Sequence, residues 1–256
     1  DRTRQLNDTF KFSTYISPIK CENDEWNDIV QINKTLIELK RDGGGPVHIN
    51  LGTELTKIFD CNTLPKFRKI DRITINNEFP IINGEYKIGI YVGNHKKWGS
   101  SLTSKVDDFC ENYNAVVICD HTSNYFGKYK VPLNIVCEQE NYKSPLNSFD
   151  LLIHIGDTSG AYMSINAKEV WRVNPDGEIR DTFKKLRYVF EMEEDMFFDK
   201  YSSNYKNAKN TSFYESWKKE LSEFDALLSN CDLPFSNPWI AINMFNKLPK
   251  ESTLHL

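Results

Sequence analysis

Between Lys87 and Met192 the chain repeats one pattern: a short apolar run, then polar or turn-forming residues. The runs are KIGIYVG (87–93), AVVICD (115–120), DLLIHIG (150–156), KEVWRV (168–173) and LRYVFEM (186–192). Short apolar runs that stop at Gly or Asp read as strands buried on both faces, each delivering a loop to one sheet edge. They predict strands at about 87–92, 115–120, 150–155, 169–173 and 187–191. SLTSKVDDFCENY (101–113) places Leu102, Val106, Phe109 and Cys110 on one helical face. Strand–helix–strand order with buried strands predicts an α/β fold, a mostly parallel sheet with helices on both faces.

The flanks follow other periods. Residues 24–40 set Trp26, Ile29, Val30, Asn33, Leu36 and Ile37 on one helical face, with Asn23 or Asp24 as cap and Gly43 as stop. GGGPVHINL then gives a turn and a strand at Val47–Leu51. Residues 53–85, with Pro65, Pro80 and the basic Lys66–Arg72 stretch, read as a linker. NIVCEQ (134–139) has no definite type. Helices are expected at 193–205 and 211–229. In the second, Phe213, Trp217, Leu221, Phe224 and Leu228 form a stripe that reads as core packing. Asn237-Pro238 suits a helix start, running to Leu248, and STLHL (252–256) reads as a strand.

The formal net charge is −4 over 256 residues, which gives no electrostatic reason to expect nucleic acid or an anionic membrane as partner. No apolar run is long enough to span a bilayer, and the polar start does not read as a signal peptide. Cys21, Cys61, Cys110, Cys119, Cys137 and Cys231 are scattered, without a CxxC pair, so neither a zinc site nor a disulfide framework is expected. A reducing cytoplasm fits that usage. The first residue is Asp rather than Met, and the chain is expected to be part of something longer.

Candidate chemistry gathers where strands end, because open α/β sheets bind ligands outside the carboxyl ends of their strands. Gly156-Asp157-Thr158-Ser159-Gly160 is small and polar, but lacks GxGxxG and GxxxxGK[ST]. His121-Thr122-Ser123-Asn124 also follows a strand. Cys119, Asp120 and His121 resemble a relay, yet neighbours on a strand alternate faces and cannot converge. His48, inside a strand, reads as a hydrogen-bonded core residue. Gly43–Gly45 reads as a helix stop, and the acids Glu191, Glu193, Glu194 and Asp195 as a solvated helix start.

Several of these segments together resemble the thiamine diphosphate-dependent enzymes. INKTLIELK followed by GGGPVHINL resembles the last helix and strand of their pyrimidine-binding domain. LLIHIGDTSGAY and VWRVNPDGEIRD resemble their central domain, a Rossmann-like (DHS-like) sheet. NPWIAINMFNKLPKESTLHL resembles the entry to their diphosphate-binding domain. The nearest branch holds the menaquinone-pathway SEPHCHC synthase and the thiamine diphosphate proteins encoded with polysaccharide-biosynthesis genes. After HINL, however, this chain reads GTELTKIF, without the EPL of the menaquinone synthase.

The resemblance implies four parts: 1–52, the tail of the pyrimidine domain; 53–85, a linker; 86–232, the central domain; and 233–256, the start of the diphosphate domain. It implies a parent transferase or lyase that makes or breaks a carbon–carbon bond beside a carbonyl, with thiamine diphosphate and Mg2+. The family's activating glutamate would lie before Asp1 and its GDG…Asn metal motif beyond Leu256; Asp176-Gly177 is not that motif. The chain itself is then expected to hold no catalytic residue, no metal ligand and no cofactor of its own. Gly93, Ser123, Asn124, Gly156, Asp157 and Ser159 are the sheet-edge candidates for contact with a nucleotide-like ligand. Expected partners are the other domains of the parent and further copies in a homo-oligomer. Two other readings are a free-standing nucleotide-binding module and a structural or oligomerisation domain. A sirtuin-like deacylase would need a zinc CxxC pair and a GAG-type loop, which are absent. Trp26, Trp239 and Phe245 are expected to be more exposed than Trp217.

Overall fold

The structure is a computed structural model that describes residues 9–54, 63, 66–137, 139–157, 159, 164–203, 210–245 and 247–252. The expected strand at 252–256 falls almost wholly outside them, as do Thr158 and Gly160 of the loop singled out above. Two compact units are present, residues 1–217 and 218–256.

The first unit opens with strand β1 (Phe12–Ile16), helix α1 (Glu22–Glu38) and strand β2 (Val47–Leu51). β1 and β2 pair in parallel, Phe12 opposite Val47 and Ile16 opposite Leu51. α1 starts at Cys21, whose N–H donates to Asp24 Oδ2 at 3.0 Å, so Asp24 acts from inside the first turn rather than as the cap itself. Its apolar face also differs from expectation. Leu36 is exposed, whereas Asp28 and Thr35 are buried on one side and Val30 and Asn33 on the opposite side. The cause is a helix covered twice. Gln31, on the Asp28 side, meets Thr14 of β1. Asn33 accepts from Ile70 N–H at 2.8 Å and donates to Arg68 C=O at 3.1 Å.

That second contact leads straight into the large sheet. Its strands are β3 (Asp71–Ile73), β4 (Ile88–Val92), β5 (Ala115–Cys119), β6 (Lys130–Val131), β7 (Ser148–Ile155), β8 (Asn166–Val173) and β9 (Leu186–Phe190). They lie in the order β3-β9-β8-β7-β4-β5-β6, and every pairing is parallel. The five expected strands are all present within a residue or two, apart from the earlier start of β7 and β8. β3 lies in the stretch expected to be a linker; it is an edge strand because β9 offers it a free row of backbone groups. NIVC forms a short helix, α3 (Asn134–Cys137).

One face of the sheet packs against α2 (Ser100–Tyr113) and α4 (Glu194–Ser203). Ile88, Ile90, Val92, Leu151, Ile153, Ile155, Trp171 and Val173 point to this side and are all buried. Phe109 and Tyr113 of α2 stack at 4.7 Å, and Phe197 and Phe198 of α4 meet edge to face at 5.2 Å. Full burial of one such phenyl ring contributes about 2 kcal/mol. The other face takes Phe213 and Trp217 from the start of α5 (Ser212–Ser229), Phe213 lying 5.8 Å from Phe149. Trp217 is fully buried, so the expected stripe is core at this end.

The second unit holds the rest of α5 and α6 (Asn237–Phe245). α6 starts where Asn237-Pro238 predicts but stops short of Leu248. Leu228, Trp239 and Phe245 are exposed. Trp239 and Phe245 are thus more exposed than Trp217, as expected. Trp26 is half-buried and so also more exposed than Trp217, although its indole N–H donates to Asp181 Oδ2 at 2.9 Å and the Lys184 ammonium lies over its ring.

Candidate functional site

The strand order creates one switch point. From β4 the chain moves to β5 and β6 on one side, then returns to β7 on the other. The chain thus leaves β4 and β7 on either side of a change in strand order, and a doubly wound sheet has its crevice at such a point. All six sheet-edge candidates lie around it: Gly93 after β4, Ser123 and Asn124 after β5, and Gly156, Asp157 and Ser159 after β7.

The loops here are stitched to one another. Gly93 N–H donates to Ile155 C=O at 3.0 Å, and Asp157 N–H donates to Asn94 C=O at 2.8 Å. A Cβ on Gly93 would sit 1.8 Å from the Asp157 carbonyl oxygen, so only glycine permits this approach. Gly156 holds the turn with φ of 72°. Ser123 Oγ donates to Val92 C=O at 2.7 Å, and Asn124 Nδ2 donates to His95 C=O at 2.6 Å. Ser159 donates to Asp120. These donors serve the protein itself, and the glycines let the two loops pack closely.

Asp120 is the anchor of that stitching. Burial works to raise its carboxyl, but hydrogen bonds from Ser159, Thr122 and Ser123 outweigh it and hold the group below the usual carboxylate range. Its neighbours in sequence do not join it. Cys119 faces the core, where burial pushes its thiol up to about 12, and His121 is exposed. His48 lies half-buried on β2, 3.0 Å from Ser13 Oγ on the paired strand. The acidic run divides as well: Glu194 receives His95 Nε2 at 2.9 Å, while Glu191 pairs with Arg41 and Arg72. Burial works against protonation of His95, but Glu194 outweighs it and the ring is raised above its ordinary value.

The structure brings together a second set that the sequence reading missed. Tyr91, His154 and Arg172 occupy equivalent places on β4, β7 and β8, with Tyr91 opposite His154 and His154 opposite Arg172. All three are buried. The ring of Phe183 covers them, 5.1 Å from Tyr91 and 5.5 Å from His154. Arg172 Nη1 lies 3.3 Å from His154 Nε2, and Nη2 donates to Gly156 C=O at 3.0 Å. Burial, with the charges of Arg172 and Arg180, lowers the His154 ring to about 3. It is neutral at physiological pH and is no proton carrier there. One sequence signal marks the set: YVG, HIG and RVN each put a polar side chain two residues before the strand's closing turn.

A separate cavity of about 230 Å3 lies between α1 and the loop after β8, with Lys34, Glu38, Arg41 and Glu178 in its wall. Among the described residues no three His, Cys, Asp or Glu side chains gather where they could hold a metal ion. No described helix is long and apolar enough to cross a membrane.

No protein-family model matches the chain. Over 266 residues it is 24% identical to 2-succinyl-5-enolpyruvyl-6-hydroxy-3-cyclohexene-1-carboxylate synthase of Bacteroides fragilis, in strains ATCC 25285 and YCH46 alike. The alignment takes in 96% of this chain and 46% of each relative. The chain thus spans about half the length of the curated relatives it matches, and it is distantly similar to them over nearly all of its own.

Proposed function

We propose that this chain is the central part of a thiamine diphosphate-dependent enzyme, a transferase or lyase that forms or breaks a carbon–carbon bond beside the carbonyl of a 2-oxo acid or related substrate. The observation that carries the reading is the alignment with the synthase along 96% of the chain. The relative is an enzyme of the same kind that the GGGPVHINL and LLIHIGDTSGAY segments resemble. The all-parallel sheet with its switch point agrees with a central Rossmann-like domain.

In this reading the chain is scaffold and not catalyst. When bound, thiamine diphosphate supplies the carbanion chemistry. It needs a carboxylate on its aminopyrimidine and a magnesium ion shared between diphosphate and protein oxygens. In this reading both ligand sets lie outside the chain, where the resemblance to the family puts them. No catalytic step is therefore routed through these residues. The rest of a longer cytoplasmic polypeptide would supply both ligand sets.

Calorimetric titration of the 256-residue chain with thiamine diphosphate and Mg2+ is expected to show no tight, magnesium-dependent binding. The polypeptide purified from its native source is expected to release thiamine diphosphate on denaturation and to turn over 2-oxo acids. Tight binding by the short chain rejects the scaffold role. A native protein without the cofactor rejects the family.

Assembly into a homo-oligomer belongs to the same proposal, and the surface of α6 supports it. Trp239, Ile240, Ile242, Met244 and Phe245 are all exposed on this one short helix. Exposed apolar side chains on several sides of one helix favour association. Sedimentation at micromolar concentration is expected to give a species heavier than the 29.8 kDa monomer; a strict monomer would count against it.

A further inference from the structure

Arg172 carries a buried charge with no carboxylate in hydrogen-bond contact. It is 1% exposed, and among the described residues no lysine and no other arginine is buried as deeply. Its guanidinium gives one bond to a carbonyl, that of Gly156, and one contact to the neutral ring of His154. Nε is buried and has no acceptor. The nearest carboxylate, Asp157, stands 3.9 Å away, past hydrogen-bond reach, and its side chain is 77% exposed. Arg68 shows the ordinary arrangement, with Nη2 2.6 Å from the fully buried Asp181 carboxylate. A buried cation without a hydrogen-bonded counter-charge is costly to keep out of water. Arg180, itself paired with Asp176 at 2.6 Å, adds positive charge beside Arg172, and the carboxylates of Asp176, Asp157 and Glu194 act against it from a distance, but none of them gives the guanidinium a hydrogen bond.

Position supplies the second observation. Arg172 sits at the carboxyl end of β8, one strand from the switch point, on the edge where such sheets receive ligands. We propose that Arg172 is an oxyanion-binding residue, and that the carboxyl edge of β7 and β8 takes the carboxylate or phosphate group of a small molecule, displacing Asp157. An oxyanion offers two oxygens to the free Nε–H and the remaining Nη2–H, the fork geometry that guanidinium favours. Asp157 can leave because water already covers most of it. The site requires no metal and stands apart from the thiamine diphosphate reading; either can fail without the other.

The test is thermal denaturation at pH 7 in chloride, with phosphate or succinate added at matched ionic strength. Three proteins are compared: the wild-type chain, Arg172→Met and Asp157→Asn. In wild type the midpoint is expected to rise and saturate with phosphate, succinate or both, and the anion that works tells phosphoryl from carboxylate ligands. Arg172→Met should show no saturable rise, and in chloride alone should melt no lower than wild type, because it removes an unpaired buried charge. Asp157→Asn alters an exposed side chain and keeps the fold. It should half-saturate at a concentration about threefold lower, as expected for loss of one hydrated like charge. A saturable rise in Arg172→Met equal to that of wild type overturns the proposal, as does no saturable rise in wild type. Should Arg172→Met fail to fold, the comparison of Asp157→Asn with wild type decides, and equal half-saturation there overturns it.

Discussion

Asp181→Ala is expected to remove about 3–5 kcal/mol of stability, the range for breaking a buried ion pair from one side. The Asp181 carboxylate is wholly buried and joins three separate parts of the first unit. Oδ2 accepts from Arg68 Nη2 at 2.6 Å and from the Trp26 indole at 2.9 Å. Oδ1 accepts from Leu186 N–H at 2.8 Å, at the first residue of β9. Deleting the carboxylate leaves the indole N–H and the Leu186 N–H without an acceptor, and leaves the Arg68 guanidinium only its bond to Leu186 C=O. Each unpaired buried donor adds its own desolvation cost, about 1–3 kcal/mol and more for a charge. Asp181→Asn keeps one acceptor and should cost less. Urea denaturation followed by far-ultraviolet circular dichroism measures both. A loss under about 1 kcal/mol for the alanine variant would mean that α1 and the large sheet hold together without this junction.

Acidification should weaken the fold through His154, over a pH range that begins above that of the carboxylates. The folded ring titrates near 3, against an ordinary 6.5 that applies once the chain unfolds. Between those values the unfolded state carries a proton that the folded state refuses. Stability therefore rises with pH across that window and falls as pH drops through it. One proton gives a slope of up to about 1.4 kcal/mol per pH unit. His95 works in the opposite sense and elsewhere. Its pKa is raised by Glu194, so its contribution is complete below 6.5 and is lost as pH climbs through its folded value. Burial raises the Asp28 carboxyl, which works against the His154 slope, so the part due to His154 is read as the difference between the wild-type and His154→Gln curves from about pH 4 to 6. His154→Gln should lose that one-proton slope while keeping the limb below pH 4 that belongs to groups such as Asp120. Parallel curves for the two proteins in that interval would show that His154 is protonated in the fold.

The candidate site was legible only in part. Its place at the carboxyl edge followed from loops that close apolar runs, and Gly93, Ser123, Asn124, Gly156, Asp157 and Ser159 all lie there. What those residues do there was not readable. Gly93 and Gly156 look like openings in the sequence, and the structure uses them to bring two loops into contact. Tyr91, His154 and Arg172 looked like isolated polar interruptions in three strands. They become a row only when β4, β7 and β8 lie side by side in register.

The sequence by itself determined where the buried strands of the large sheet lie and that they run parallel. An unbroken apolar run is stable only with both faces covered, and that is a local property of the chain. It also determined the packing face of α2, which meets the sheet along a single stripe. Tertiary structure alone decided the rest. Short strands such as β1 and β3 carry no apolar run of their own; a neighbouring strand makes them strands by offering hydrogen bonds. The two-sided burial of α1 depends on layers that meet it from β1 and from the Arg68–Ile70 segment, so its periodicity could not reveal Asp28 and Thr35 as interior. Arg172 is buried without a close carboxylate for the same reason: charge balance belongs to groups that meet in space, and a linear sequence does not fix which groups meet.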